Sequence, residues 1–124
     1  MSCFWDSLLQ KLNKEDLINK NITLAQDLSE YLQKNNTITD NILWNDESLS
    51  TKQKEENKEH ITDYNRSTMG QGYLCSTCDP FLLLICELFE ITIKNNYNGT
   101  LITYKNKIKN NYIIQISNTK SHMS

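Results

Sequence analysis

One proline and three glycines in 124 residues exclude collagen-like, Pro/Gly-rich and fibrous architectures. Long hydrophobic runs are missing as well. The longest unbroken apolar stretch, Phe81–Cys86, has six residues, against the ~20 that a membrane-spanning helix needs. The opening MSCFWDSLLQKL has no basic leader, extended apolar stretch or small-residue cleavage site, so no signal peptide is expected. The expected location is the cytoplasm, with no membrane partner. Excess charge of one sign is also lacking: 13 basic against 15 acidic residues give a net charge of −2. Binding to a phosphate backbone wants a dense positive stripe. The lysines of the weakly basic tail (Lys94, Lys105, Lys107, Lys109 and Lys120) lie instead among strand-like apolar residues. Nucleic acid is therefore not an expected partner.

What is present points to one domain spanning 1–124, with 38% hydrophobic residues and length for a single modest core. Asn, Lys and Ile supply 41 residues, the bias of an AT-rich genome. That bias also accounts for the sequons at Asn21, Asn35, Asn65 and Asn98, which carry little meaning without a secretory signal. Four cysteines stand at 3, 75, 78 and 86. Cytosolic thiols stay reduced, so the question is which of them does chemistry rather than which pair.

Ser2 to Leu12 reads as a helix, with Phe4, Leu8, Leu9 and Leu12 on one stripe. Thr23 and Gln26 have capping-box spacing before a second amphipathic helix carrying Leu24, Leu28, Tyr31 and Leu32. Residues 35–49 read as loop, anchored by Ile42, Leu43 and Trp44. Ser50 to Tyr64 reads as a solvated helix with a Ser50/Gln53 start. Asp79-Pro80 then opens an apolar helix through Phe89, expected at the centre of the core. From Glu90 the period becomes strand-like: Ile91–Ile93, Leu101–Tyr104 and Tyr112–Ile116, the first two joined by an Asn98-Gly99 hairpin turn. The predicted fold class is α+β, with helices packed on a small, mainly antiparallel sheet formed by the C-terminal third.

Cys3 falls at a helix start, where unpaired backbone N–H groups favour thiolate, while Cys86 falls mid-helix among apolar residues and reads as an inert core thiol. His60 reads as an exposed histidine on the polar helix. His122 lies six residues beyond Ile116, where the end of a strand can hold a base against a nucleophile on a helix tip. Cys75-Ser76-Thr77-Cys78 is open to three readings: small residues at the entry to the core helix, half a zinc site, or a redox dithiol. No second CxxC or paired histidine completes a metal site, and no cofactor is expected.

Three stretches together resemble the ovarian-tumour (OTU) family of cysteine peptidases. Ser2-Cys3-Phe4-Trp5-Asp6-Ser7-Leu8 is similar to that family's nucleophile helix. Tyr73 to Ile93 is similar to its turn, core helix and strand, and Tyr112 to His122 to its closing strand. The resemblance covers about half of the chain, in the order Cys, core helix, strands, His, and it implies a papain-like arrangement. It further implies hydrolysis of isopeptide bonds of ubiquitin or ubiquitin-like conjugates by a monomer, with Cys3 as nucleophile and His122 as base. An AT-rich virus or intracellular bacterium would be a natural source, the host cytoplasm then being the place of action. The family's Asp-Gly run before the cysteine, and its aromatic and acidic positions after the histidine, have no counterpart here. Ser124 and the more remote Asn118 are candidates to orient the imidazole, and the third triad member is unassigned. The alternative is a catalytically weak or inactive domain of the same fold that binds ubiquitin or another protein. A further possibility, zinc-dependent folding through Cys75 and Cys78, predicts stoichiometric metal.

Overall fold

Alternating apolar and polar residues from Ile91 onward build the last three strands of the sheet, and the helices before them supply the layer that covers one of its faces. The computed structural model describes residues 3–37, 40–64, 79–97 and 99–118. Within them the order is α1 (Cys3–Lys11), α2 (Lys14–Asn19), α3 (Ala25–Lys34), β1 (Ile42–Trp44), β2 (Glu47–Ser48), α4 (Thr51–Asp63), α5 (Asp79–Phe89), β3 (Thr92–Tyr97), β4 (Thr100–Asn106) and β5 (Ile113–Asn118). The fold is α+β, as the sequence predicts.

The sheet has the order β2-β1-β4-β3-β5. Three of its pairings are antiparallel, and β5 runs parallel to β3. The parallel pairing follows from the short connection after β4, which passes beneath the start of β3 instead of turning back beside β4. Asparagines shape that connection. The Asn106 carboxamide oxygen accepts from the N–H groups of Ile108 (2.8 Å) and Lys109 (3.2 Å), and its Nδ2 donates to the Cys86 carbonyl (3.1 Å). Asn110 Oδ1 accepts from Asn106 N (3.0 Å) and from the Thr92 hydroxyl (2.6 Å), fastening the loop to the foot of β3. Asn106 is buried, and these bonds meet the demand that burial makes of a carboxamide.

Residues 42–48, which read as loop, form a two-stranded ribbon at the sheet edge. Asn45 (φ 49°) and Asp46 (φ 66°) both take the left-handed conformation that a two-residue primed turn requires. Asn45 also continues the sheet: its N–H donates to the Thr103 carbonyl and its Oδ1 accepts from Thr103 N, both at 2.8 Å. Gly99 (φ 86°) serves the β3–β4 hairpin, where Tyr97 pairs with Thr100.

The helix starts come close to the expected ones. Ser50 and Gln53 form the reciprocal capping box of α4, at 3.1 and 2.8 Å. At α3 the cap is one residue later than the Thr23/Gln26 spacing suggests. Leu24 takes the N-cap position, and the Asp27 carboxylate accepts from the N–H groups of Leu24 (2.9 Å) and Thr23 (3.1 Å). A charged acceptor outcompetes the neutral Gln26 for those donors. The short α2 is capped by Asn13, whose Oδ1 accepts from Glu15 and Asp16 N–H groups. Helix α5 lies at the centre of the core. Phe81 through Cys86 are all buried, together with Trp5 and Leu8 of α1 and Ile93, Ile102, Tyr104, Ile114 and Ile116 of the sheet.

Candidate active site

Cys3 is the first residue of α1. Its thiol, together with His122, Asn118's side chain, Ser124, Cys75 and Cys78, lies outside the described part of the protein. Two hydrogen bonds indicate how α1 runs relative to β5. Asn13 N donates to the Tyr112 hydroxyl (2.9 Å) just before β5, and Lys11 Nζ donates to the Gln115 carbonyl (2.7 Å) in its middle. Going backwards along α1 therefore means going forwards along β5. From Lys11 to Cys3 the helix rises ~12 Å, and from Gln115 to Asn118 the strand advances ~10 Å. The start of α1 and the end of β5 thus face the same end of the molecule.

Aromatic packing corroborates that direction. Trp5, the third residue of α1, is 1% exposed and sits edge-on to Phe81 at 4.9 Å between ring centroids. Phe81 opens α5, whose C-terminal end lies at the foot of β3, where the Cys86 carbonyl meets Asn106. The N-terminal ends of α1 and α5 therefore share the end toward which β3 and β5 run. Tyr64, just past α4, joins them. Its ring is 5.0 Å from Phe81 and its hydroxyl accepts from Trp5 Nε1 at 3.0 Å. These contacts hold α1 in place two residues from Cys3. The fifty-nine residues separating Trp5 from Tyr64 left no spacing signal by which the sequence could have revealed the pair.

A shallow surface depression of about 360 Å³ lies beside Tyr64, lined by Glu56, Glu59, His60, Asp63 and Tyr64. His60 is exposed, as expected, with its ring 6.3 Å from Phe81. Cys86 is fully buried, and its thiol points to the Tyr104 carbonyl at 3.6 Å. Burial pushes its pKa far up, so Cys86 is a core thiol and not a nucleophile. Among the described residues no three His, Cys, Asp or Glu side chains are grouped to hold a metal ion.

No helix among the described residues is long and apolar enough to cross a membrane. No protein-family profile, curated protein or solved structure matches this chain.

Proposed function

We propose that the protein is an OTU-like cysteine peptidase that hydrolyses isopeptide bonds of ubiquitin or ubiquitin-like conjugates. The observation that supports it is the antiparallel course of α1 and β5, fixed by the Lys11–Gln115 and Asn13–Tyr112 hydrogen bonds, which points a helix N-terminus and a strand end the same way. In this reading the Cys3 thiolate, favoured by the partial positive charge of a helix N-terminus, attacks the scissile carbonyl. The C–N bond breaks, the protonated His122 gives its proton to the departing lysine amine, and a thioester forms on Cys3. Water, deprotonated by the now neutral His122, hydrolyses the thioester and restores the thiol. Backbone N–H groups at the start of α1 stabilise the oxyanion.

A ubiquitin-propargyl or ubiquitin-vinyl-sulfone probe tests the proposal. One adduct on Cys3 is expected, with none on Cys75, Cys78 or Cys86, and diubiquitin cleavage should be lost in Cys3→Ala and His122→Ala. Absence of both adduct and cleavage from folded protein overturns it. Ubiquitin binding that survives without turnover would leave a binding module of the same fold.

A further inference from the structure

Acidic residues are absent from the last three strands and their connections. All fifteen Asp and Glu residues precede residue 91, while 91–124 carries five lysines and no acid. The strand register turns this division into a surface. Ile93, Asn95, Ile102, Tyr104, Ile114 and Ile116 are buried under the helices, so their neighbours along β3, β4 and β5 face outward. Lys94 stands at the centre of that outer face, level with Thr103 on β4 and Gln115 on β5. Lys105 and Leu101 flank Thr103 along β4, and Ile113 holds a far corner. Lys107 and Lys109 follow on the connection below. No acid occupies an outward position on these strands, and none of these four lysines forms an ion pair with a described residue. The lysines are accompanied by exposed aliphatic groups: Leu101 and Ile113 are each 56% exposed and Ile108 is 73% exposed.

We propose that this outer sheet face docks an acidic protein segment that also carries aliphatic side chains. Carboxylates answer unpaired lysines on strands that carry no acid of their own, and Leu101, Ile108 and Ile113 give apolar side chains a place to leave water. A nucleic acid fits less well. The described outward positions offer no aromatic ring for bases to stack on, and four dispersed lysines do not form the continuous stripe that tracks a phosphate backbone. The proposal rests on charge and register alone and is independent of any activity of Cys3.

The test is to titrate the ¹⁵N-labelled full chain with a peptide of alternating Glu and Leu and, separately, with a single-stranded dT oligonucleotide of equal charge. Peptide-induced amide shifts are expected to cluster at Lys94, Thr103, Lys105 and Gln115, with binding weakened by added salt. The double variant Lys94→Glu/Lys105→Glu should bind the peptide roughly tenfold more weakly or worse. Lys52→Glu on α4 should bind it as the parent does. If the reversed charges disturb folding, Lys94→Gln/Lys105→Gln provides the same comparison. Unchanged affinity in the double variant, shifts centred on the helices, tighter binding of the oligonucleotide, or no peptide binding at millimolar concentration would each overturn the proposal.

Discussion

Helices α4 and α5 lie against each other, yet opposite physics holds them in place. In α5 the residues from Phe81 to Cys86 are buried without interruption, so the hydrophobic effect fixes the helix from every side. In α4 only Ile61 is buried, and the rest of its thirteen residues face water wholly or in part. Side chains tie that helix down instead. Gln33 Nε2 donates to the carbonyls of Ile61 (3.1 Å) and Tyr64 (2.8 Å), and Asn36 Nδ2 to the Lys58 carbonyl (2.8 Å) and the Thr62 hydroxyl (2.9 Å). Lys54 reaches Asp40 at 3.1 Å, and the Ser50/Gln53 box closes the N-terminus. The comparison shows how a chain with a modest core can still order a polar helix: a few directed hydrogen bonds at both ends do what burial does for its neighbour. It also bears on the candidate site, because the two helices deliver Tyr64 and Phe81 to the same place on Trp5.

If burial alone holds α5, Leu84→Ala should cost about 2–5 kcal/mol of unfolding free energy, because it empties a fully enclosed position. A denaturant melt that shifts by less than about 1 kcal/mol would show that the core does not centre there. The bonds on α4 predict a smaller and more local effect. Gln33→Ala should cost about 1–2 kcal/mol and speed amide exchange in the last turns of α4 while leaving α5 protected. Equal acceleration in both helices would mean that they open as one unit. Ser50→Ala should cost ~1 kcal/mol, with faster exchange confined to the first turn of α4.

The smallest effect concerns α3 and depends on pH. The Leu24 and Thr23 N–H groups hold the Asp27 carboxyl below its ordinary value of 3.8. A depressed folded-state pKa contributes stability that is present above the unfolded value and disappears as pH falls through the folded one. Asp27→Ala should therefore lower the melting temperature slightly at neutral pH and flatten its decline below about pH 4. Parallel acid profiles for parent and variant would remove Asp27 from the cap.

Patterns that repeat within a few residues were legible in the sequence. The stripe of α1, the Ser50 capping box, the apolar run of α5 and the hairpin before Thr100 are local signals, and the structure places elements at all four, with Asn98 itself outside the described residues. The ribbon over 42–48 was not legible, since Asn45 and Asp46 enter their turn only where β4 offers the Thr103 backbone as a partner. Nor was the Asn106–Asn110 loop that sends β5 to the far side of β3, because Asn106 finds the Cys86 carbonyl twenty residues away. Of the candidate site, the sequence supplied Cys3 on a helix start and His122 beyond a strand. The packing of Trp5 against Phe81 and Tyr64 came from distant segments that no spacing links.

Helical and strand periods, caps and the six-residue apolar core run belong to the sequence, because they depend on neighbours a few bonds away. Tertiary structure decided that β5 runs parallel to β3, that α1 runs back along β5, and that Lys94 and Lys105 share one face of the sheet. Those outcomes depend on which groups find partners across the fold, and chain order does not specify that pairing.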